Sequence, residues 1–155
     1  DTRVPLLAEV KSDGRPPAGF LEAIASAAAA YRGPIALMSF DGAFVAELGK
    51  LAGAVPRGLV VGTHQLAANW WAGPSEAGQN AAVAALLEKA PPGISFLAVE
   101  VKMLEAARAW IDRNTPHLAL FTWTVRTPKD RAAAARWADA PIFEEPGPAE
   151  DKAGA

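Results

Sequence analysis

Leu6-Leu7-Ala8-Glu9-Val10-Lys11 is a short apolar run that ends with a carboxylate and an ammonium two residues apart. In an extended strand alternate side chains share a face, so Leu7, Glu9 and Lys11 point one way and the other three point the opposite way. When parallel strands are covered by helices, ligands bind at the carboxyl end of the sheet. The run therefore predicts a strand that ends in one of two ways. Either the two charges form a functional pair at the strand end, or the strand simply ends at the solvated Ser12–Pro17 turn.

The composition describes one domain with a sizeable core. The chain has 155 residues, of which 51% are hydrophobic, and its formal net charge is -2. This balance predicts small molecules or proteins as partners, with no nucleic acid and no membrane surface. Cysteine is absent, so disulfides and thiolate metal sites are excluded. A cytoplasmic location is expected, although the chain opens on Asp1 and a signal peptide would lie before that residue.

Apolar segments alternate between strand-like and helix-like patterns along the chain, and the stretch from Thr63 to Gly73 is compatible with a short helix or a loop. We expect one domain over residues 1–146 and a disordered tail over 147–155, which contains Pro, Gly, Ala and charged residues. Predicted strands are Leu6–Lys11, Ile35–Phe40, Gly58–Gly62, Phe96–Val101, His117–Val125 and Ile142–Phe143; predicted helices cover about 16–31, 42–52, 75–90, 103–113 and 128–138.

This alternation predicts an α/β fold with a parallel sheet, either an open doubly wound sheet or part of a (β/α)₈ TIM barrel. A Gly-rich phosphate-binding loop of either common pattern is missing, which favours the barrel. Because a complete barrel needs about 250 residues, the chain would be roughly the latter two-thirds of one, with the first strands absent.

Three motifs at predicted strand ends carry a family resemblance. Glu9-Val10-Lys11, Ser39-Phe40-Asp41 and Trp123-Thr124-Val125-Arg126-Thr127-Pro128 occur in this order at the ends of the first, second and fifth predicted strands. Together they resemble the carboxy-terminal part of the glycerophosphodiester phosphodiesterases, metal-dependent hydrolases with a PI-phosphodiesterase-like barrel. The resemblance covers most of the chain and is weakest from Thr63 to Gly93.

The resemblance implies a role for each matching residue. Glu9 would be a ligand of a divalent cation, Mg²⁺ or Ca²⁺, which both prefer oxygen donors. Lys11 would neutralise the phosphate of a small phosphodiester substrate. Phe40 and Trp123 would form an apolar wall against the glycerol or alcohol portion, and Ser39 would make a structural hydrogen bond. The implied reaction is hydrolysis of a glycerophosphodiester to an alcohol and glycerol 3-phosphate.

The sequence departs from the family pattern in one large respect. The family's His-Arg-Gly motif, its Glu-x-Asp pair and its second catalytic histidine all lie upstream of the matched region, so no catalytic residue is expected in this chain. His64 and His117 do not match those histidines and are interpreted as surface or packing residues. We therefore expect the chain to be inactive alone and to fold stably only with the missing amino-terminal segment of the same barrel, supplied covalently or by another chain.

Counting strands raises a difficulty, because six here plus about three upstream exceed the eight of a barrel. Either Gly58–Gly62 or Ile142–Phe143 is accordingly expected not to be a barrel strand.

Two other functions remain open. Lys11 could form a Schiff base in a barrel lyase, although the neighbouring Glu9 favours the charged ammonium. Alternatively, the chain is a non-catalytic barrel fragment used for binding or assembly. Separately, the Trp70-Trp71 pair could cap the barrel mouth as part of a substrate lid or cover an exposed sheet edge.

Overall fold

A computed structural model of the protein describes residues 4–12, 16–66 and 76–144. Trp70, Trp71 and the predicted tail over 147–155 lie outside these ranges. The strands of the described part are β1 (Leu6–Glu9), β2 (Ile35–Ser39), β3 (Arg57–Val61), β4 (Phe96–Glu100), β5 (Ala119–Val125) and β6 (Ala140–Phe143). Its α-helices are α1 (Phe20–Ala30), α2 (Gly42–Leu51), α3 (Glu76–Leu87), α4 (Leu104–Asn114) and α5 (Pro128–Trp137), and short 3₁₀ turns cover Thr63–Gln65 and Val101–Met103.

Local sequence signals define where several helices begin. The Asp41 carboxylate accepts hydrogen bonds from the backbone N–H groups of Ala43 and Phe44 and so caps α2. Thr127 and Asp130 form a reciprocal capping box at the start of α5. Helix α1 begins at Phe20, later than the predicted Pro16, because a turn between Pro17 and Phe20 precedes it.

All six strands pair in parallel in the order β1-β2-β3-β4-β5-β6. Strand β3 pairs with both β2 and β4, and β6 pairs with β5. The expectation that Gly58–Gly62 or Ile142–Phe143 is not a barrel strand is therefore wrong. Each of these short runs obtains its backbone hydrogen bonds from a neighbouring strand, which the local sequence does not reveal.

The two faces of the sheet differ in what covers them. On the outer face, strand residues such as Leu97 and Leu120 are fully buried against helical residues such as Leu87 and Ile111. The inner face carries a separate apolar cluster that contains strand residues and, within the described ranges, no helical ones. Its buried members are Met38, Val60, Phe96 and Ala98. Helices on one face only are expected for consecutive parallel strands joined by right-handed crossovers.

The sheet curls so that its inner face is concave. Phe40 follows β2 and Trp123 lies on β5, yet their ring centroids are 5.4 Å apart. In a flat sheet these strands would be separated by three spacings of about 4.8 Å each. Glu9 of β1 and Ile142 of β6 also line one pocket although they lie on the two outermost strands of the sheet. The prediction of a partial (β/α)₈ barrel is confirmed, and the doubly wound alternative is wrong.

None of the helices in the described ranges combines the length and the apolar character needed to cross a membrane.

Candidate active site at the carboxyl end of the sheet

A pocket of about 400 Å³ opens at the carboxyl end of the inner face. Met38, Val60 and Ile142 contribute apolar side chains to it. The other residues that line it are Glu9, Lys11, Phe40, His64, Trp123, Thr124 and Glu144. The structure therefore brings together the four residues that the family resemblance selects, Glu9, Lys11, Phe40 and Trp123.

The end of β1 supplies the charged pair. Ala8 and Val10 pack in an apolar cluster on the outer face, so the alternate side chains of Glu9 and Lys11 face the pocket. Lys11 Nζ lies 2.6 Å from Glu9 Oε1, an oxygen that is shielded from solvent. A cation on this carboxylate and an anion on this ammonium would consequently lie side by side.

Two hydrogen bonds join the ends of β1 and β2. The Val10 N–H donates to the Met38 carbonyl at 2.7 Å. The hydroxyl of Ser39, which is fully buried, donates to the Val10 carbonyl at 2.7 Å and accepts from the Asp41 N–H at 3.1 Å. The predicted structural role of Ser39 is confirmed. Its bonds hold the backbone on both sides of Phe40, which therefore projects into the pocket from a fixed position.

An aromatic wall faces the charged pair. The rings of Phe40 and Trp123 meet nearly at right angles, with an interplanar angle of 86°. The indole N–H of Trp123 donates to the Ala98 carbonyl at 3.0 Å, which fixes the ring orientation. An apolar surface beside a charged pair suits a ligand that has both an anionic group and a carbon chain.

Sequence reasoning missed two residues at this pocket. His64, interpreted above as a surface or packing residue, lines the pocket and has its ring 5.1 Å from that of Phe40. Glu144 also lines the pocket and pairs with Arg126 at 2.6 Å. The available signal for His64 was its position two residues after the glycine that ends an unbroken apolar strand. By contrast, His117 is exposed at the amino end of the sheet, as the sequence predicts, although it lies in the turn before β5 and not in the strand itself.

Glu100 has a structural partner. Its Oε2 accepts hydrogen bonds from the backbone N–H of Thr63 at 2.8 Å and from the Thr63 hydroxyl at 2.6 Å. Its Oε1 lies 3.8 Å from the Lys102 ammonium. Glu100 therefore connects the end of β4 to the turn after β3.

The described residues do not form a complete metal site. No group of three or more His, Asp or Glu side chains capable of holding a metal occurs in residues 4–12, 16–66 and 76–144. Glu9 nevertheless has the right donor chemistry for Mg²⁺ or Ca²⁺, and one oxygen of this carboxylate is shielded from solvent. Glu9 fits one ligand position, and the other ligands would have to come from outside these residues.

The fold defined by this geometry is part of a (β/α)₈ barrel with its pocket at the carboxyl ends of the strands. Neither a protein-family model nor a curated protein matches the sequence.

Solved structures of glycerophosphodiester phosphodiesterases share this fold. One is a protein assigned as a glycerophosphoryl diester phosphodiesterase from Silicibacter pomeroyi, with a TM-score of 0.61 and 24% identity over 92% of this chain and 48% of that chain. Others come from Parabacteroides distasonis (TM-score 0.55, 16% identity, 90% of this chain and 52% of that one) and Thermotoga maritima (TM-score 0.54, 16% identity, 87% and 52%). The chain spans about half the length of these proteins, and at these identities the likeness establishes the fold.

Proposed function

We propose that this chain is part of a metal-dependent phosphodiesterase that hydrolyses glycerophosphodiesters to an alcohol and glycerol 3-phosphate. The observation that carries the proposal is the placement of Glu9, Lys11, Phe40 and Trp123 around one pocket. The pocket lies at the end of the barrel where ligands bind. The shared fold with solved glycerophosphodiester phosphodiesterases supports the same proposal.

Each residue has a part in this proposal that follows from its chemistry. Glu9 would offer an oxygen to Mg²⁺ or Ca²⁺, and the bound cation would stabilise the negative charge that develops on the phosphoryl group. Lys11 would hold a phosphate oxygen with its ammonium group. Phe40 and Trp123 would contact the carbon atoms of the glycerol or alcohol portion. The general acid and base would come from outside this chain.

The rest of the barrel is the partner that this proposal requires. Large apolar side chains are exposed at both outer strands, with Leu6 on β1 at 43% and Phe143 on β6 at 66%. A groove of about 570 Å³ lies on the outer face between α5 and β6 and includes Val125, Ala134 and Phe143 in its lining. The helix that follows a strand in such a barrel packs at this kind of position. Two further strands between β6 and β1 would complete eight and cover the exposed edges.

The test of the proposed function is an assay of the complete protein with glycerophosphodiesters of different alcohols. We expect release of glycerol 3-phosphate and the alcohol, and loss of that release when a chelator removes divalent cations. No release from any diester, or release that the chelator leaves unchanged, would rule the proposal out. The 155-residue chain alone is expected to be inactive, so metal-dependent hydrolysis that survives Glu9→Gln in this fragment would contradict the assigned role of Glu9.

The Schiff-base alternative is disfavoured by the 2.6 Å contact between Lys11 and Glu9. A carboxylate at this distance favours the protonated ammonium, whereas a Schiff-base lysine must be neutral. Borohydride trapping of a carbonyl substrate on Lys11 would restore this alternative.

A binding or assembly module is the remaining alternative, favoured by the incomplete metal ligand set of the described residues. Calorimetric titration of the complete protein with Mg²⁺ or Ca²⁺ separates the two. An enzyme should have a cation site that Glu9→Gln removes, whereas a non-catalytic module should have no site that depends on Glu9.

A further inference from the structure

The turn after β3 brings a histidine to the same pocket as the charged pair. His64 lies in the 3₁₀ turn Thr63–Gln65 and lines the pocket together with Glu9 and Lys11. Its ring contacts the ring of Phe40 at an interplanar angle of 60°. The side chain is exposed at the mouth of the pocket, so it contributes little to the core.

The turn that carries His64 is held in place at both of its ends. Thr63 gives Glu100 two hydrogen bonds, one from its backbone and one from its hydroxyl. The Gly62 N–H donates to the side-chain oxygen of Gln65 at 2.8 Å. These bonds tie the turn to the end of β4 and close it on itself, which limits where the imidazole can lie.

Gly62 permits the imidazole and the indole to approach each other. A Cβ atom at position 62 would lie 2.8 Å from His64 Nδ1 and 3.0 Å from Trp123 Cη2. Such distances are shorter than ordinary contacts, so any larger residue would displace one of the two rings. The absence of a side chain at Gly62 therefore leaves room for His64 beside the aromatic wall.

We propose that His64 is a substrate-binding residue that donates a hydrogen bond to the phosphate group held by Lys11. The proposal rests on the proposed phosphodiesterase function and adds a ligand contact that the family resemblance does not assign. An imidazole carries at least one N–H donor in either protonation state. A phosphate diester presents several acceptor oxygens, so a donor from the β3 side complements the ammonium from the β1 side.

The first test measures binding without catalysis. The ring resonances of His64 and His117 in the complete protein are followed by NMR during titration with glycerol 3-phosphate, inorganic phosphate and glycerol. A His64→Gln spectrum assigns the His64 signal, and His117, at the other end of the sheet, is the internal control. We expect both phosphate compounds, but not glycerol alone, to shift His64 in a saturable way and to leave His117 in place. A His64 shift no larger than that of His117 would overturn the inference.

The second test separates binding from packing. His64→Phe retains an aromatic ring against Phe40 but has no donor, whereas His64→Gln retains an N–H donor. We expect His64→Phe to raise KM for the diester about tenfold, the effect of one hydrogen bond of about 1.4 kcal/mol, with kcat nearly unchanged and partial recovery in His64→Gln. Gly62→Ala should raise KM in the same way because it displaces the ring. Unchanged KM in His64→Phe would mean that the ring only covers Phe40.

The two tests distinguish failure of this inference from failure of the proposed function. Hydrolysis by the wild-type protein without a phosphate-dependent shift of His64 would remove the inference and leave the function. A saturable shift of His64 in a protein that hydrolyses no diester would remove the function and leave a phosphate-binding histidine.

Discussion

The two faces of the sheet use the same strands for different purposes. On the outer face, polar side chains such as Ser39 and Thr122 are fully buried, and their hydroxyls donate to the carbonyls of Val10 and Val99. On the inner face, the charged groups of Glu9 and Lys11 stay at the rim of a pocket and pair with each other. The outer face is thus packed against the helices, whereas the inner face presents charged groups to a pocket. Because neighbouring side chains on a strand point to opposite faces, adjacent residues take different roles.

The largest expected effect on stability is on the outer face. Leu120 is fully buried against the helices, and Leu120→Ala should lower the free energy of unfolding of the complete protein by about 2–5 kcal/mol through lost burial and a cavity. Urea denaturation measures the change, with Leu51→Ala, 40% exposed, as the matched control. A loss at Leu120 no greater than that at Leu51 would mean that burial of Leu120 against the helices contributes little to stability.

A substitution on the inner face, Lys11→Met, should affect activity more than stability. Lys11→Met should lower kcat/KM for the diester by about 10²–10³, the usual cost of removing one group that stabilises transition-state charge. The free energy of unfolding should change by less than about 1 kcal/mol, since the ion pair is partly exposed. The exposed Lys89 provides the control Lys89→Met, which should leave both quantities unchanged. Equal activity losses in the two variants would contradict the account.

Ser39 is buried on the outer face but bonds to the backbone of Val10, between the two pocket residues Glu9 and Lys11. Its removal should have a smaller effect on stability than Leu120→Ala. Ser39→Ala deletes the bond to the Val10 carbonyl and leaves this buried acceptor without the hydroxyl, which should cost about 1–3 kcal/mol of stability. Because Glu9 and Lys11 flank Val10, some activity should also be lost. Ser26→Ala on the exposed side of α1 is the control. Thermal unfolding that does not distinguish the two serine variants would argue against this connection.

The smallest expected effect is a pH dependence at the start of α5. Hydrogen bonds from the backbone N–H and side chain of Thr127 and from the backbone N–H of Arg126 hold the pKa of Asp130 below its ordinary value of 3.8. A depressed pKa in the folded state stabilises the protein above the unfolded value, and this contribution disappears as the pH falls through the folded value. The stabilities of wild type and Asp130→Asn should therefore differ well above pH 3.8 and converge below it. Denaturation measured across this range checks the expectation, and parallel pH profiles would show that Asp130 contributes nothing.

Part of this division between faces could be predicted from the sequence. Alternation in Leu6–Lys11 correctly separates Ala8 and Val10, which pack on the outer face, from Glu9 and Lys11, which line the pocket. The capping residue Asp41 was also predictable, because an N-cap depends on local chemistry.

Other features depend on contacts between residues far apart in the sequence, so they could not be predicted from local sequence patterns. Strand β6 is short and half exposed, and its place in the sheet is set by pairing with β5. His64 was missed because only the curl of the sheet and the bonds from Thr63 to Glu100 place its turn beside Phe40. The bond between Thr63 and Glu100 could not be predicted for the same reason, since the two residues are 37 positions apart.

The central proposal is that the carboxylate of Glu9 binds, at the inner face, the divalent cation that hydrolysis requires. The most direct measurement is kcat/KM of the complete protein for a glycerophosphodiester, compared between Glu9→Gln and the control Glu22→Gln on the exposed surface of α1. We expect a loss of about 10³ or more in Glu9→Gln, which lacks a ligand of the cation that stabilises transition-state charge, and wild-type activity in Glu22→Gln. Wild-type activity in Glu9→Gln would contradict the account.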